Sequence, residues 1–280
     1  VVGSANYITS VDERPIGMFD SGFGGLTVAR AVIDLLPNEH LVYFGDTGRY
    51  PYGSKSQADV REFAIEIADH LVETYNIKML VIACNTAAAA AFEQLEARLS
   101  IPVVGVIDAG VKALAKVTQT GRTGVIGTVG AIDSGAYDVA FAEFAGEGLE
   151  LASAACPGLV EFVERGETSG RQVALLTERL LAPIVKADVD ALLLGCTHYP
   201  FLARTIADVV GAAVTLVSSA DETAFEIRDR LGQLDLRRES LSDAQHRFLS
   251  SGDISWFEDL GRRLLGPELA TAHSHEWPRP

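Results

Sequence analysis

Cysteine is scarce in this chain: Cys84, Cys156 and Cys196 are the only three in 280 residues. An odd, widely spaced set argues against a disulfide framework and for a reducing compartment. Long apolar runs are missing too. No stretch reaches the roughly 18–20 residues that a membrane-spanning helix needs, and Val1–Pro15 lacks the basic-then-apolar pattern of a secretory signal. Positive charge is in deficit, with 23 Lys and Arg against 38 Asp and Glu, a net charge of −15. That field repels phosphate backbones, so direct nucleic-acid binding is not expected. An anionic small molecule would have to be held by locally aimed donors. The expectation is a soluble cytoplasmic protein.

What the chain does have is core material, 48% hydrophobic residues against 22% charged. At about 150 residues per domain this is enough for two domains or one large α/β unit. Apolar strands are read at Pro15–Asp20, Leu41–Phe44 and Met79–Ala83. Helical patterns follow them: Thr27 to Leu36, the three-and-four spacing of Val60, Phe63, Ala64, Ile67, Ala68, Leu71 and Tyr75, and an alanine-rich run from Thr86 to Leu99. Strands apolar on both faces that alternate with helices imply βαβ units and a parallel sheet. The pattern restarts with strands at Gly124–Thr128, Leu149–Ala154 and Ala191–Gly195. Val214–Val217 and a helix from Asp221 to Leu231 come next, and the tail His273–Pro280 reads as frayed.

The two halves look like loose copies. Asp20 and Thr128 lie 108 residues apart, Asp46 and Cys156 110, and Cys84 and Cys196 112. In doubly wound sheets ligands sit beyond the carboxyl ends of the strands. A duplicated unit carries two such edges, and facing them encloses one cleft.

Cys84 and Cys196 each end an all-apolar strand and precede residues suited to helix caps, Asn85-Thr86 and Thr197. A helix N-terminus stabilises a thiolate, and the same amides bind a carboxylate. Three chemistries fit such a pair. Redox exchange usually uses Cys-x-x-Cys, which is absent; zinc ligation by Cys84, Cys156, Cys196 and His198 has no supporting ligand spacing. In the third, two acid/base groups act on opposite faces of one carbon, one thiolate taking a proton while the other thiol delivers one. Asp20, which precedes the glycine-bearing Ser21–Gly25, and His198, two residues past Cys196, are the candidate helpers. Glu164 is a candidate to orient His198, and Tyr50-Pro51-Tyr52-Gly53 is a stiff loop that offers backbone donors and a phenol. Cys156 is read as structural.

Four segments together resemble the glutamate racemases of the aspartate/glutamate racemase family. They are Phe19–Leu26, Asp46-Thr47 with Pro51-Tyr52-Gly53, Ala83–Ala87, and Gly195–Pro200, in family order from about residue 15 to 218. The resemblance implies a cofactor-independent isomerase that interconverts L- and D-glutamate and supplies D-glutamate for peptidoglycan. It implies that Cys84 takes the proton from D-glutamate and Cys196 from L-glutamate, with Asp20 helping the first and His198, backed by Glu164, the second. Substrate contacts would fall to Asp20, Ser21, Tyr52, Gly53, Asn85, Thr86, Thr197 and His198. The implied fold is two similar three-layer α/β domains with mainly parallel sheets, related by pseudo-twofold symmetry around the cleft. Residues 1–108 plus 219–280 would form the first and 109–218 the second. No cofactor or metal is implied, and no lysine stands in the motifs where a Schiff base would form. Possible partners are glutamate, a second copy of the chain in a homodimer, and DNA gyrase. The alternatives are a racemase of a related substrate such as aspartate, and a non-catalytic gyrase-binding protein on this fold. Two positions depart from the family pattern. Ala131 stands where a threonine is expected, and the segment before Glu164 reads Cys156-Pro157-Gly158-Leu159-Val160-Glu161, where the family more often shows a bulkier apolar residue and a proline.

Overall fold

A computed structural model describes residues 12–144, 146–240 and 242–277. The first half runs β1 (Ile16–Asp20), α1 (Leu26–Leu35), β2 (Leu41–Gly45), α2 (Gln57–Tyr75), β3 (Met79–Ile82), α3 (Asn85–Arg98), β4 (Val103–Gly105) and α4 (Val106–Val117). β1, β2 and β3 are buried along their whole length, which is why they read as continuous apolar runs instead of alternating ones. Ser56 caps α2 by accepting from the Asp59 amide, and Asn76, in the left-handed region at φ 49°, ends it.

The second half opens with β5 (Arg122–Gly127), α5 (Val129–Asp133), α6 (Ala136–Phe144), β6 (Glu150–Ala155) and α7 (Leu159–Glu164). It continues through α8 (Arg171–Lys186), β7 (Ala191–Gly195), α9 (Ala203–Val210) and β8 (Thr215–Ser218). The chain then passes through α10 (Ser219–Gln233), β9 (His246–Ser250), α11 (Ile254–Leu265) and β10 (His273–Ser274).

All the strand pairs are parallel. One sheet has the order β10-β9-β2-β1-β3-β4 and the other β6-β5-β7-β8. Removing β9 and β10 leaves β2-β1-β3-β4, which corresponds strand for strand to β6-β5-β7-β8. The repeat read from the sequence is therefore a repeat of topology. In each copy the chain reverses its winding at the central strand, and the crevice lies between β1 and β3 in one and between β5 and β7 in the other. Cys84 follows β3 and Cys196 follows β7, so each thiol stands at a switch point.

Helices cover both sheets. α2 packs beside α3, α1 beside α10 and α11, and α8 lies on β5 and β6. The main core runs from the first sheet through α4 to Val125, Leu193 and Val217 of the second, while a smaller core gathers under α7 and α8.

The C-terminal segment differs from the sequence reading. His273-Ser274 pairs with Leu249-Ser250, and the Trp277 ring packs 5.4 Å from that of Phe44. The segment to Trp277 is thus ordered by the edge of the first sheet; residues 278–280 lie outside the described part. Among the described residues no helix is long and apolar enough to cross a membrane.

Candidate active site

Cys84 is the N-cap residue of α3 and is almost fully buried, with its Sγ 3.7 Å from Ser21 Oγ. Behind it Asp20 has no exposed surface. The Gly22 amide donates to Asp20 Oδ1 at 2.7 Å and Thr197 Oγ1 to Oδ2 at 3.3 Å. Burial raises the Asp20 carboxyl above its ordinary range, opposed by the His198 charge, the Gly22 and Gly25 amides and Thr197. Burial and then the neighbouring Asp20 charge push the Cys84 thiol up to about 12, against smaller opposing contributions from the Ala87 amide and Ser21. Cys84 therefore rests as a protonated thiol.

The surroundings of Cys196 have the opposite sign. Its Sγ lies 3.8 Å from His198 Nδ1, and His198 Nε2 faces Glu164 Oε1 at 3.7 Å, an ion-pair distance too long for a hydrogen bond. Burial disfavours the imidazolium, but Cys196, Glu164 and the Asp20 charge outweigh it and push His198 up to about 10. Edge-on contact with Phe23, ring centroids 4.9 Å apart, helps to fix the imidazole. One thiol thus sits beside a carboxylate and the other beside a cation.

Both thiols line one cavity of about 330 Å³. Ser21, Tyr52, Gly53, Asn85, Thr86, Thr197 and His198 line it as well, so nine of the residues singled out from the sequence meet there. Asp20 and Glu164 do not line the cavity; each sits behind the side chain it was expected to assist. Asn85 Oδ1 is buried without a partner, an acceptor left free for a ligand donor.

The walls also contain residues that the sequence reading passed over. Thr128 Oγ1 lies 2.9 Å from Thr86 Oγ1, joining the two halves across the cleft, and it accepts from the Ala131 amide as the cap of α5. Ala131 itself is fully buried outside the lining, and the polar group at this turn is Thr128. The 108-residue offset had marked Thr128 as the counterpart of Asp20 but not as a contact. Cys156, read as structural, lines the cavity together with Val160 and Glu161. Burial and then Cys196 push its thiol up to about 12.

Tyr137 of α6 lies behind the wall. Its hydroxyl accepts from Asn85 Nδ2 at 2.9 Å and donates to the Gly195 carbonyl at 3.1 Å, so one phenol ties the residue after Cys84 to the residue before Cys196. Nothing in the helical apolar pattern around it distinguishes this tyrosine. Close approach of the halves also requires Gly24. A β-carbon there would overlap Thr197 Oγ1 and come 2.7 Å from His198 Nδ1.

Among the described residues no lysine lines the cavity, and no group of three or more His, Cys, Asp or Glu is arranged to hold a metal ion. What the site offers is three sulfurs, Cys84 from the edge of the first sheet and Cys156 and Cys196 from that of the second, with hydroxyl, amide and backbone groups between them.

The chain matches the family model described as Asp/Glu/Hydantoin racemase over residues 25–226. It is 52% identical over 256 residues to the glutamate racemase of Parafrankia sp., covering 91% of this chain and 92% of that protein. Among solved structures, the glutamate racemase of Bacillus anthracis aligns with a TM-score of 0.89 at 42% identity, covering 96% of this chain and 99% of that one. The Francisella tularensis glutamate racemase in complex with D-glutamate aligns with a TM-score of 0.87 at 33% identity, covering 96% and 98%.

Proposed function

The chain belongs to the Asp/Glu/Hydantoin racemase family, and from that membership we infer that it interconverts L- and D-glutamate by a two-thiol mechanism. The observation that carries the mechanism is the pair of strand-end cysteines lining one cavity amid charges of opposite sign. With L-glutamate bound, the Cys196 thiolate takes the α-proton and the Cys84 thiol delivers its own to the opposite face. The C–H bond on one side breaks, a C–H bond on the other forms, and the centre inverts. With D-glutamate the roles exchange.

The His198 cation lies against the Cys196 sulfur, and Cys196 and Glu164 hold His198 cationic. Burial and the Asp20 charge keep the Cys84 sulfur protonated, ready to donate, and Asp20 is the proposed base that helps it when it must accept. Charge developing beside the substrate carboxylate is met by amides at the start of α3 and by the Ser21, Thr86 and Thr197 hydroxyls. Asp20-Ser21, Tyr52-Gly53, Asn85-Thr86 and Thr197-His198 are the proposed substrate contacts. The proposed division of the chain puts residues 1–108 and 219–280 in one half and 109–218 in the other, a reading supported by the pairing of β9 with β2.

This function supplies D-glutamate for peptidoglycan from a cytoplasmic pool, where the free thiols stay reduced. The proposal extends to a homodimer. A gyrase-binding role, for which the acidic net charge is the supporting observation, would leave gyrase inhibition intact in a Cys84→Ser/Cys196→Ser double variant.

The deciding experiment is incubation with L-glutamate in D₂O without pyridoxal, following α-deuteration and optical rotation. Deuterium entering as D-glutamate accumulates is the expected result, and either single Cys→Ser variant should lose racemisation in both directions. Exchange with aspartate but not glutamate would move the substrate assignment, and near-normal turnover in either variant would overturn the two-thiol scheme.

A further inference from the structure

Asp46, at the end of β2, is fully buried yet outside the catalytic cavity. Its two carboxylate oxygens collect four donors from three segments. Oδ1 accepts from Ser251 Oγ at 2.6 Å and from Trp277 Nε1 at 3.0 Å; Oδ2 accepts from Arg49 Nε at 2.7 Å and from the Tyr52 hydroxyl. The Asp46 amide meanwhile donates to the Asp20 carbonyl at 3.0 Å. Trp277 does a second thing. Its ring lies 4.2 Å from the Arg49 guanidinium, which is also 4.2 Å from the Phe63 ring, so two aromatic rings hold Arg49.

Tyr52 and Gly53 line the cavity on this loop together with Tyr50, Pro51 and Ser54, and the position of the Tyr52-Gly53 wall depends on Asp46 being fixed. A carboxylate with four donors has one favoured orientation; with a donor and the Arg49 stack removed it can turn, and the Tyr52 hydroxyl turns with it. We propose that Trp277, in the C-terminal segment, is a positioning residue for the reaction: through Arg49 and Asp46 it holds the Tyr52-Gly53 wall against the substrate. This rests on the racemase reading for its kinetic consequence but not for its geometry.

The test compares the parent with Trp277→Ala and Trp277→Phe, the latter keeping a ring on Arg49 without an N–H. Losing one hydrogen bond to a charged group corresponds to about tenfold in binding, so Trp277→Ala should raise KM for glutamate about tenfold, more than it lowers kcat. Trp277→Phe should fall between the two. The Tyr52→Phe and Trp277→Ala changes should combine less than additively, since both act through Asp46. A lowered melting temperature with unchanged KM in Trp277→Ala would show a merely structural role and overturn the proposal, as would full additivity with Tyr52→Phe. Turnover by the parent tests the racemase reading separately. The rate at which iodoacetamide alkylates Cys84 needs no turnover: it should rise several-fold in both Trp277 variants, and parent-like rates would overturn the inference whatever the substrate.

Discussion

Removing one hydroxyl group from Tyr137 tests whether the two halves of the site are held as a unit. In Tyr137→Phe the ring stays in its buried place in α6, while Asn85 Nδ2 and the Gly195 carbonyl both lose their partner. A buried polar group left unpaired costs about 1–3 kcal/mol. Asn85 lines the cavity and can turn its amide toward it; the Gly195 carbonyl, at the end of β7, cannot move. The expected loss is therefore about 2 kcal/mol, one full penalty and little more. For a chain of this size that lowers the melting temperature by about 5 °C. The catalytic effect should be larger than the change in stability suggests, because Asn85 and Gly195 flank the two sulfurs. A displacement of about 1 Å at reacting groups costs on the order of a hundredfold in rate. Steady-state racemisation and thermal denaturation of Tyr137→Phe, Asn85→Ala and the double variant complete the assay. The two changes should be strongly non-additive in kcat. Parent-like stability and turnover in Tyr137→Phe, or simple additivity with Asn85→Ala, would refute the reasoning.

Other consequences can be checked in the same assays. L- and D-glutamate are mirror images with equal free energies, so every variant must lower kcat/KM equally in both directions; the local role of His198 shows elsewhere. In His198→Asn we expect a greater fall in kcat and a greater primary isotope effect from α-deuterated L-glutamate than from the D-isomer, and equal effects would remove His198 from the Cys196 side. Gly24→Ala inserts a β-carbon against Thr197 and His198; overpacking there should cost about 1–3 kcal/mol and most of the activity, and an active variant would show that the two halves do not approach as described. Burial lowers the pKa of His70, with the His275 charge adding to the shift, and burial lowers that of His275, with Arg49 adding to the shift and Asp46 opposing it. A lowered histidine value means that stability is fully present above the ordinary value of 6.5 and is lost as pH falls below it. The melting temperature should therefore drop between pH 6.5 and 5.5, by less in His70→Asn; an identical drop in that variant would exclude His70 as a cause.

The strand-end cysteines were legible because each fully buried parallel strand reads as an unbroken apolar run, and the polar residue that ends it stands out. The offsets of 108 to 112 residues told that the edges were paired, and the matching strand orders of the two sheets are the physical reason. Other features were hidden for a different reason. Tyr137 sits on an ordinary helical face, and its role exists only once α6 brings it between Asn85 and Gly195. β9 is a five-residue strand, His-Arg-Phe-Leu-Ser, whose partner β2 is remote in sequence, so no local pattern announces the pairing. The tail looked frayed because His273–Trp277 is short and polar; its order comes from Leu249-Ser250 and Phe44, which local reading does not see.

The pairing of β2 with β9 has a consequence for how the protein is made. Leu41 meets His246 in that register, so about 205 residues must be synthesised before the outer edge of β2 can be covered. At about 5–20 residues per second, that edge emerges from the ribosome some 10–40 s before its partner exists. During that interval a fully buried strand of the finished protein presents unpaired backbone and apolar side chains to whatever else is nearby. The intervening strands β5 to β8 can complete their own sheet in the meantime. The part of the chain made first is therefore finished last, and aggregation during expression should begin at β2.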